Sequence, residues 1–162
     1  MKLYHGSNVE VKQPKILLAA KTSDFGPAFY MTSSLNQSIQ WSRVKTRRRR
    51  KGNPVVSIYD FNVSKAQNNL KIKEFPVANE EWLDFVVANR SSNYRGEKFD
   101  LVIGPVADDQ AITVLDDYMA GLYTKKIAVE LLEPQNLVHQ YAFLTFKALE
   151  YLVYTGVENY EI

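Results

Sequence analysis

Three short stretches of this chain carry side chains suited to chemistry: "LYHGS" near the start, "DFGPAFYMTSSLNQSIQW" from Asp24 to Trp41, and "HQYAFLT" from His139 to Thr145. The first offers an imidazole, His5, beside Gly6 and the hydroxyl of Ser7. A glycine there lets a ligand approach the main chain, because no Cβ stands in the way. The second pairs a Phe-Gly-Pro turn with aromatics and then a hydroxyl cluster where a helix should start. Tyr30, Ser38 and Trp41 could wall a pocket for a flat, aromatic ligand. They would serve equally as core residues of a strand-to-helix junction, the commoner fate of buried aromatics.

The elements that must hold these groups follow from periodicity and turn signals. Short runs rich in β-branched and aromatic residues predict strands over Lys2–His5, Ala28–Thr32, Val55–Asn62, Leu70–Lys73, Leu101–Val106, Ile127–Leu132 and Gln140–Thr145. Helices fall between them without regular alternation, which argues for an α+β domain rather than a doubly wound parallel sheet. "SLNQ" reads as a capping box that opens a helix at Ser34, with Ser34 and Gln37 satisfying each other's backbone donors. At 100° per residue Leu35 and Ile39 share one stripe of that helix, while Ser34, Ser38 and Trp41 gather on the next. In "NEEWLDFVVANR" the stripe Trp82, Phe85, Val86 continues to Asn89, a polar amide expected to be buried and hydrogen-bonded. Asp108 and Asp109 open a further helix with an apolar face of Ala111, Ile112, Leu115, Tyr118 and Met119, which Gly121 stops.

With 162 residues and 46% hydrophobic content, the chain can bury one sizeable core, so residues 1–162 are expected to form a single domain. It has no cysteine, which removes disulfides, thiolate nucleophiles and thiolate metal sites and fits a reducing cytoplasm. No metal site is indicated. No apolar run is long enough for a bilayer, so no membrane partner is expected, and nothing argues against export by another route. The net charge is +2, yet Arg43–Lys51 ("RVKTRRRRK") holds seven basic residues and leaves −5 for the remainder. Such a run is a solvated loop or a phosphate-docking segment, and its repulsion should fray the helix end unless the helix dipole offsets it. No aromatic is interleaved with the arginines, so a single-strand stacking platform is not indicated.

Together the three stretches resemble the ADP-ribosyltransferase superfamily, in particular the poly(ADP-ribose) polymerase and diphtheria-toxin branch with its His-Tyr-Glu signature. They are also similar to a bacterial family of small toxin-like proteins, often encoded in toxin–antitoxin-like pairs. The specific part of the likeness covers about thirty residues; the element order extends it over most of the chain. The resemblance implies a split β-sheet sandwich with flanking helices and NAD as substrate. On its motif, His5 bonds hydroxyls of the adenosine ribose, Gly6 and Ser7 complete the first element, and the Gly6 backbone pairs with the nicotinamide carboxamide. Tyr30 falls on the signature tyrosine, Ser38 on the serine that bonds the carboxamide, and Trp41 on the aromatic that stacks on the ring. A cationic ring between π faces gains about 1 kcal/mol or more when desolvated.

The third motif departs from the family, since Gln140 stands where a glutamate is usual. A carboxylate beside the 2′-hydroxyl orients the sugar and stabilises its oxocarbenium-like charge, whereas an amide only orients. The charge is worth roughly 3 kcal/mol, a hundredfold or more in rate. Mono-ADP-ribosylation of a protein or nucleic-acid acceptor is therefore the expected activity, polymer synthesis is not, and an antitoxin protein is a further expected partner. NAD glycohydrolysis at the same site is one alternative. Another is a catalytically silent module that binds through Arg43–Lys51; an RNA phosphotransferase on the same fold would need more basic residues in the cleft. Asp108, Asp109, Asn89 and Arg90 are secondary candidates. The two aspartates could supply the missing charge or merely cap a helix, and the amide and guanidinium could bind a phosphate or tie helix to loop.

Overall fold

The computed structural model describes residues 1–18 and 23–162. Among them seven strands form one mixed sheet in the order β4-β5-β6-β2-β1-β3-β7. In chain order the elements are β1 (Lys2–Ser7), β2 (Phe29–Thr32), α1 (Leu35–Arg49), β3 (Val55–Phe61), α2 (Val63–Asn69), β4 (Ile72–Glu74), α3 (Glu80–Arg90), β5 (Leu101–Pro105), α4 (Asp109–Met119), α5 (Lys125–Leu132), β6 (His139–Phe143), α6 (Phe146–Leu149) and β7 (Leu152–Asn159). The chain is an α+β protein. Only β4 and β5 pair in parallel; every other neighbouring pair is antiparallel.

Continuous pairing conceals a fold in the middle of the sheet. Phe61 on β3 and Phe143 on β6 lie three strand steps apart, which in a flat sheet would separate them by roughly 14 Å. Their ring centroids are 5.4 Å apart. The sheet must therefore turn back on itself between these strands, and it does so at the β1–β2 seam, where Tyr4↔Thr32 is the one paired position. The space between the two halves is filled by Leu3, Phe29, Met31, Tyr59, Phe61, Leu101 and Phe143. The outer face of the β5–β6 half packs on α3, α4 and α5 through Trp82, Val86, Leu115, Ala128 and Leu132. Trp82 also donates its indole N–H to the Pro105 carbonyl at 3.0 Å, so the largest buried side chain pairs its polar atom.

Two local expectations are corrected. Ile127–Leu132 lies in helix α5, not in a strand. Its β-branched Ile127 and Val129 imitate strand composition, but the Thr124 hydroxyl caps Ile127 N–H, and Ala128 and Leu132, one turn apart, supply the buried stripe. The packed stripe of α1 is also different: Ser38, Ser42 and Thr46 are buried, while Leu35 and Ile39 are only partly covered. The reason lies in β1. A Cβ on Gly6 would stand 2.0 Å from Ser38 O and 2.9 Å from Ser42 N, so helix backbone rests directly on strand backbone, and only small side chains fit alongside.

The α1 start is as expected with one change of partner. Ser34 Oγ accepts Gln37 N–H at 3.2 Å, but Thr32 Oγ1, not the Gln37 side chain, accepts Ser34 N–H at 3.0 Å. At its other end α1 does not fray at the arginines. Arg47, Arg48 and Arg49 form its last turn, where the helix dipole favours cations, and Arg50 closes it in a left-handed conformation with φ 51°. Arg43 Nε donates to Glu161 O at 2.8 Å, fixing the helix against the end of the chain.

Candidate functional site

The seam that bends the sheet also interrupts its hydrogen-bond ladder. Met1 exchanges both of its main-chain hydrogen bonds with Phe61, so by antiparallel alternation Leu3, His5 and Ser7 turn theirs to β3, and Tyr4 and Gly6 turn theirs to β2. After Tyr4↔Thr32 the next rung would join Gly6 to Tyr30. His5 intervenes instead: its Nδ1 lies 2.8 Å from Tyr30 O. A carbonyl only accepts, so Nδ1 carries the proton and Nε2 keeps its lone pair. The imidazole occupies the acceptor that the ladder would have used, and no residue of β2 is paired with Gly6.

His5 is buried and stacked on Phe29, with ring centroids 4.3 Å apart. Burial above all, then the charge of Lys45, lowers its pKa to about 4, the Tyr30 carbonyl acting in the opposite direction and Arg49 adding a smaller depression. The ring is neutral at pH 7. Ser38 lies across Gly6 on α1 with no exposed surface, and its Oγ has no hydrogen-bond partner among the described residues. An unpaired buried hydroxyl costs about 1–3 kcal/mol, so this orphan is a feature that folding alone would not favour.

Tyr30 and Gln140 meet on the other side of β2. They line an open cavity of about 250 Å³ together with Asp24, Arg90 and Ala107. That volume is below the roughly 300–1,000 Å³ of whole-ligand sites, so it accommodates one moiety of a larger molecule. The Tyr30 hydroxyl donates to Gly26 O and accepts Phe25 N–H, and burial holds it far above the usual phenol range. The turn that it braces has Gly26 at φ +87°, a conformation suited to glycine. Asn89 sits against that turn: its Nδ2 donates to Phe85 O at 2.9 Å, and its Oδ1 would meet a Cβ on Gly26 at 2.9 Å.

The turn delivers a residue that sequence reasoning missed. Asp24, 5% exposed, accepts Arg90 Nε at 2.8 Å and Arg90 Nη2 at 2.6 Å on Oδ1. On Oδ2 it accepts Ala107 N–H at 3.0 Å and Gln140 Nε2 at 3.4 Å. The carboxylate closest to Gln140 is thus Asp24, not Asp108 or Asp109. Asp108 caps α4 by accepting Ala111 N–H at 2.8 Å, and Asp109 lies in the first turn of that helix. The one sequence signal for Asp24 was a charged residue opening the Phe-Gly-Pro turn.

The candidates therefore divide into connected groups. His5, Gly6 and Ser38 adjoin at the seam; Tyr30 and Gln140 share the cavity with Arg90; Tyr30 links the two groups through its carbonyl. Ser7 is drawn the other way, its hydroxyl 3.5 Å from Asn8 Oδ1, which also receives Arg49 Nη1 at 3.3 Å. Trp41 is partly exposed on α1 and forms no ring pair with Tyr30.

Fold and site together define an α+β chain whose folded sheet carries a buried histidine and an interrupted rung at its central seam, beside a polar cavity. The chain belongs to the family described as "Protein of unknown function (DUF3990)", whose model matches residues 1–154. No curated protein matches it. No solved structure matches it. Among the described residues no helix is long and apolar enough to cross a membrane.

Proposed function

We propose that this protein is an NAD-dependent mono-ADP-ribosyltransferase of the split-sheet type. The observation that carries the reading is the interrupted rung at Gly6: a strand N–H and C=O held off β2 by His5, with the orphaned Ser38 hydroxyl close by. A primary carboxamide donates and accepts as a peptide group does. It would complete the missing rung on Gly6, and its remaining hydrogen-bonding capacity matches Ser38 Oγ. Ser38 is sealed from solvent, so its engagement requires a small displacement of the groups around it.

Each residue then has a role fitted to its chemistry. His5 Nε2, an acceptor in the neutral ring, takes a ribose hydroxyl. Tyr30 and Trp41 offer faces to the pyridinium. Gln140 offers its amide to the 2′-hydroxyl in the cavity. Transfer breaks the bond between the ribose anomeric carbon and the ring nitrogen, whose electron pair leaves with neutral nicotinamide. An acceptor nucleophile on a protein or nucleic acid closes the new bond and loses its proton, and water in that place would make the reaction glycohydrolysis.

The test is incubation of the pure chain with labelled NAD and candidate acceptors, following nicotinamide release and label transfer beside His5→Ala and Gln140→Ala. Turnover that both substitutions reduce at least tenfold supports the reading. Absence of NAD binding at millimolar concentration overturns it. A second reading rests on the exposed Arg47, Arg48, Arg50 and Lys51 at the end of α1: NAD binding without turnover, with salt-sensitive binding of a polyanion, would mark a binding module instead.

A further inference from the structure

We infer that Asp24 is the positioning residue of this site: it sets which end of the Gln140 amide faces the cavity, and it is the reason glutamine rather than glutamate stands there. The inference rests on the reading of the cavity as the ribose-binding part of an NAD site.

An ionised carboxylate has about four lone-pair sites. On Asp24 all four are taken, two by Arg90, one by Ala107 N–H and one by Gln140. Asp24 therefore has nothing left for a ligand hydroxyl and acts only through its neighbours. A carboxylate can receive only the NH₂ end of an amide, so Gln140 must turn Nε2 toward Asp24 and Oε1 away from it. Gln140 is 4% exposed and lines the cavity, and no hydrogen bond to Oε1 is formed among the described residues. The free carbonyl oxygen is the acceptor that a ribose hydroxyl needs.

The same contact excludes the glutamate usual in the superfamily that the motifs resemble. A glutamate at position 140 would put a second carboxylate about where Nε2 now stands, 3.4 Å from Asp24 Oδ2. Arg90 binds Asp24 on Oδ1, whereas Gln140 contacts Oδ2. Two buried carboxylates at that separation do not both ionise, and one keeps a proton. The glutamine is thus matched to the aspartate across 116 positions of sequence.

The experiment compares the full chain with Asp24→Asn, Gln140→Glu and the exchange pair Asp24→Asn with Gln140→Glu. Folding is checked by thermal melting, and nicotinamide release is resolved into kcat and KM. In Asp24→Asn the new carboxamide keeps its oxygen on Arg90, whose two short contacts outweigh the single one from Ala107, and its NH₂ takes the place of Oδ2, facing Gln140. The Gln140 amide must then reverse and present a donor to the cavity. The expected result is a fall in kcat of about a hundredfold, KM changing far less because the seam contacts remain. The exchange pair restores a cavity-facing acceptor, a carboxylate at position 140 that receives the NH₂ now carried at position 24, and its kcat should recover to within about tenfold of the parent. Gln140→Glu alone should add an ionisation above the ordinary carboxylate range to the pH profile of kcat. Unchanged kcat in Asp24→Asn, an exchange pair no better than the single variant, or Gln140→Glu that is faster without the added ionisation would each overturn the inference.

A readout without NAD separates this claim from the functional one. The side-chain amide resonances of Gln140, identified by their loss in Gln140→Glu, should be protected from exchange in the parent and shift in Asp24→Asn. Unmoved resonances overturn the positioning role even if NAD is turned over. Shifted resonances in a chain that ignores NAD overturn the function and leave Asp24's control of Gln140 standing. If Asp24→Asn does not fold, Gln140→Glu decides through its pH profile.

Discussion

Acidification should unfold this protein through His5, and the size of the effect can be worked from one residue. The imidazole is buried against Phe29, and its pKa is lowered from 6.5 to about 4, first by burial, then by Lys45. The folded state thus refuses a proton that the unfolded chain accepts between those values. Stability contributed by the neutral ring is intact above pH 6.5, is lost as pH falls through the window, and levels off below pH 4. Linkage gives losses of about 1 kcal/mol at pH 6, about 2 kcal/mol at pH 5 and about 3 kcal/mol at pH 4. The assay is urea unfolding of the parent and His5→Gln at half-unit steps from pH 7.5 to 4.5. Subtracting one curve from the other removes the contribution of every other group. Parallel curves, with a difference that changes by less than about 0.5 kcal/mol across the range, would refute the reasoning, because the extrapolation resolves changes above that size.

Gly6→Ala forces a methyl onto Ser38 O at 2.0 Å, where main chain cannot yield, so stability should fall by about 1–3 kcal/mol or more, seen as a melting temperature lowered by roughly 2–12 °C. Ser38→Ala should behave in the opposite sense in the free protein, melting at the same or a higher temperature because an orphaned hydroxyl is removed, while NAD binding by calorimetry weakens. Arg90→Leu strands a buried Asp24 without its ion partner and should cost about 3 kcal/mol or more by urea unfolding.

What the sequence made legible was mostly local. The Ser34 cap, the strands around His5, Tyr30 and Gln140, the burial of Asn89, and the helix from Asp108 to the Gly121 turn at φ +83° each depend on a few adjacent residues. The failures are nonlocal or ambiguous in composition. α5 shows β-branched residues beside a two-residue buried stripe, too short for helical periodicity to stand out. β7 (Leu152–Asn159) was not predicted: it is an edge strand with no buried residue, Gly156 interrupts its apolar run, and its position comes from pairing with β3. The hydroxyl stripe of α1 makes sense only once Gly6 lies beneath it. Asp24 joins Arg90, Ala107 and Gln140, at separations of 66, 83 and 116 residues, which no window along the chain brings together.

The lone Tyr4↔Thr32 pairing makes the middle of the molecule its weakest joint as far as backbone is concerned. Each half has ladders of its own, while across the join the His5–Tyr30 hydrogen bond is joined by contacts of rings such as Phe61 and Phe143, which have no directional bond between them. A guest bonded at Gly6 would therefore rivet two plates that share only one backbone pairing, and amides bordering the join would exchange with solvent more slowly while it stayed.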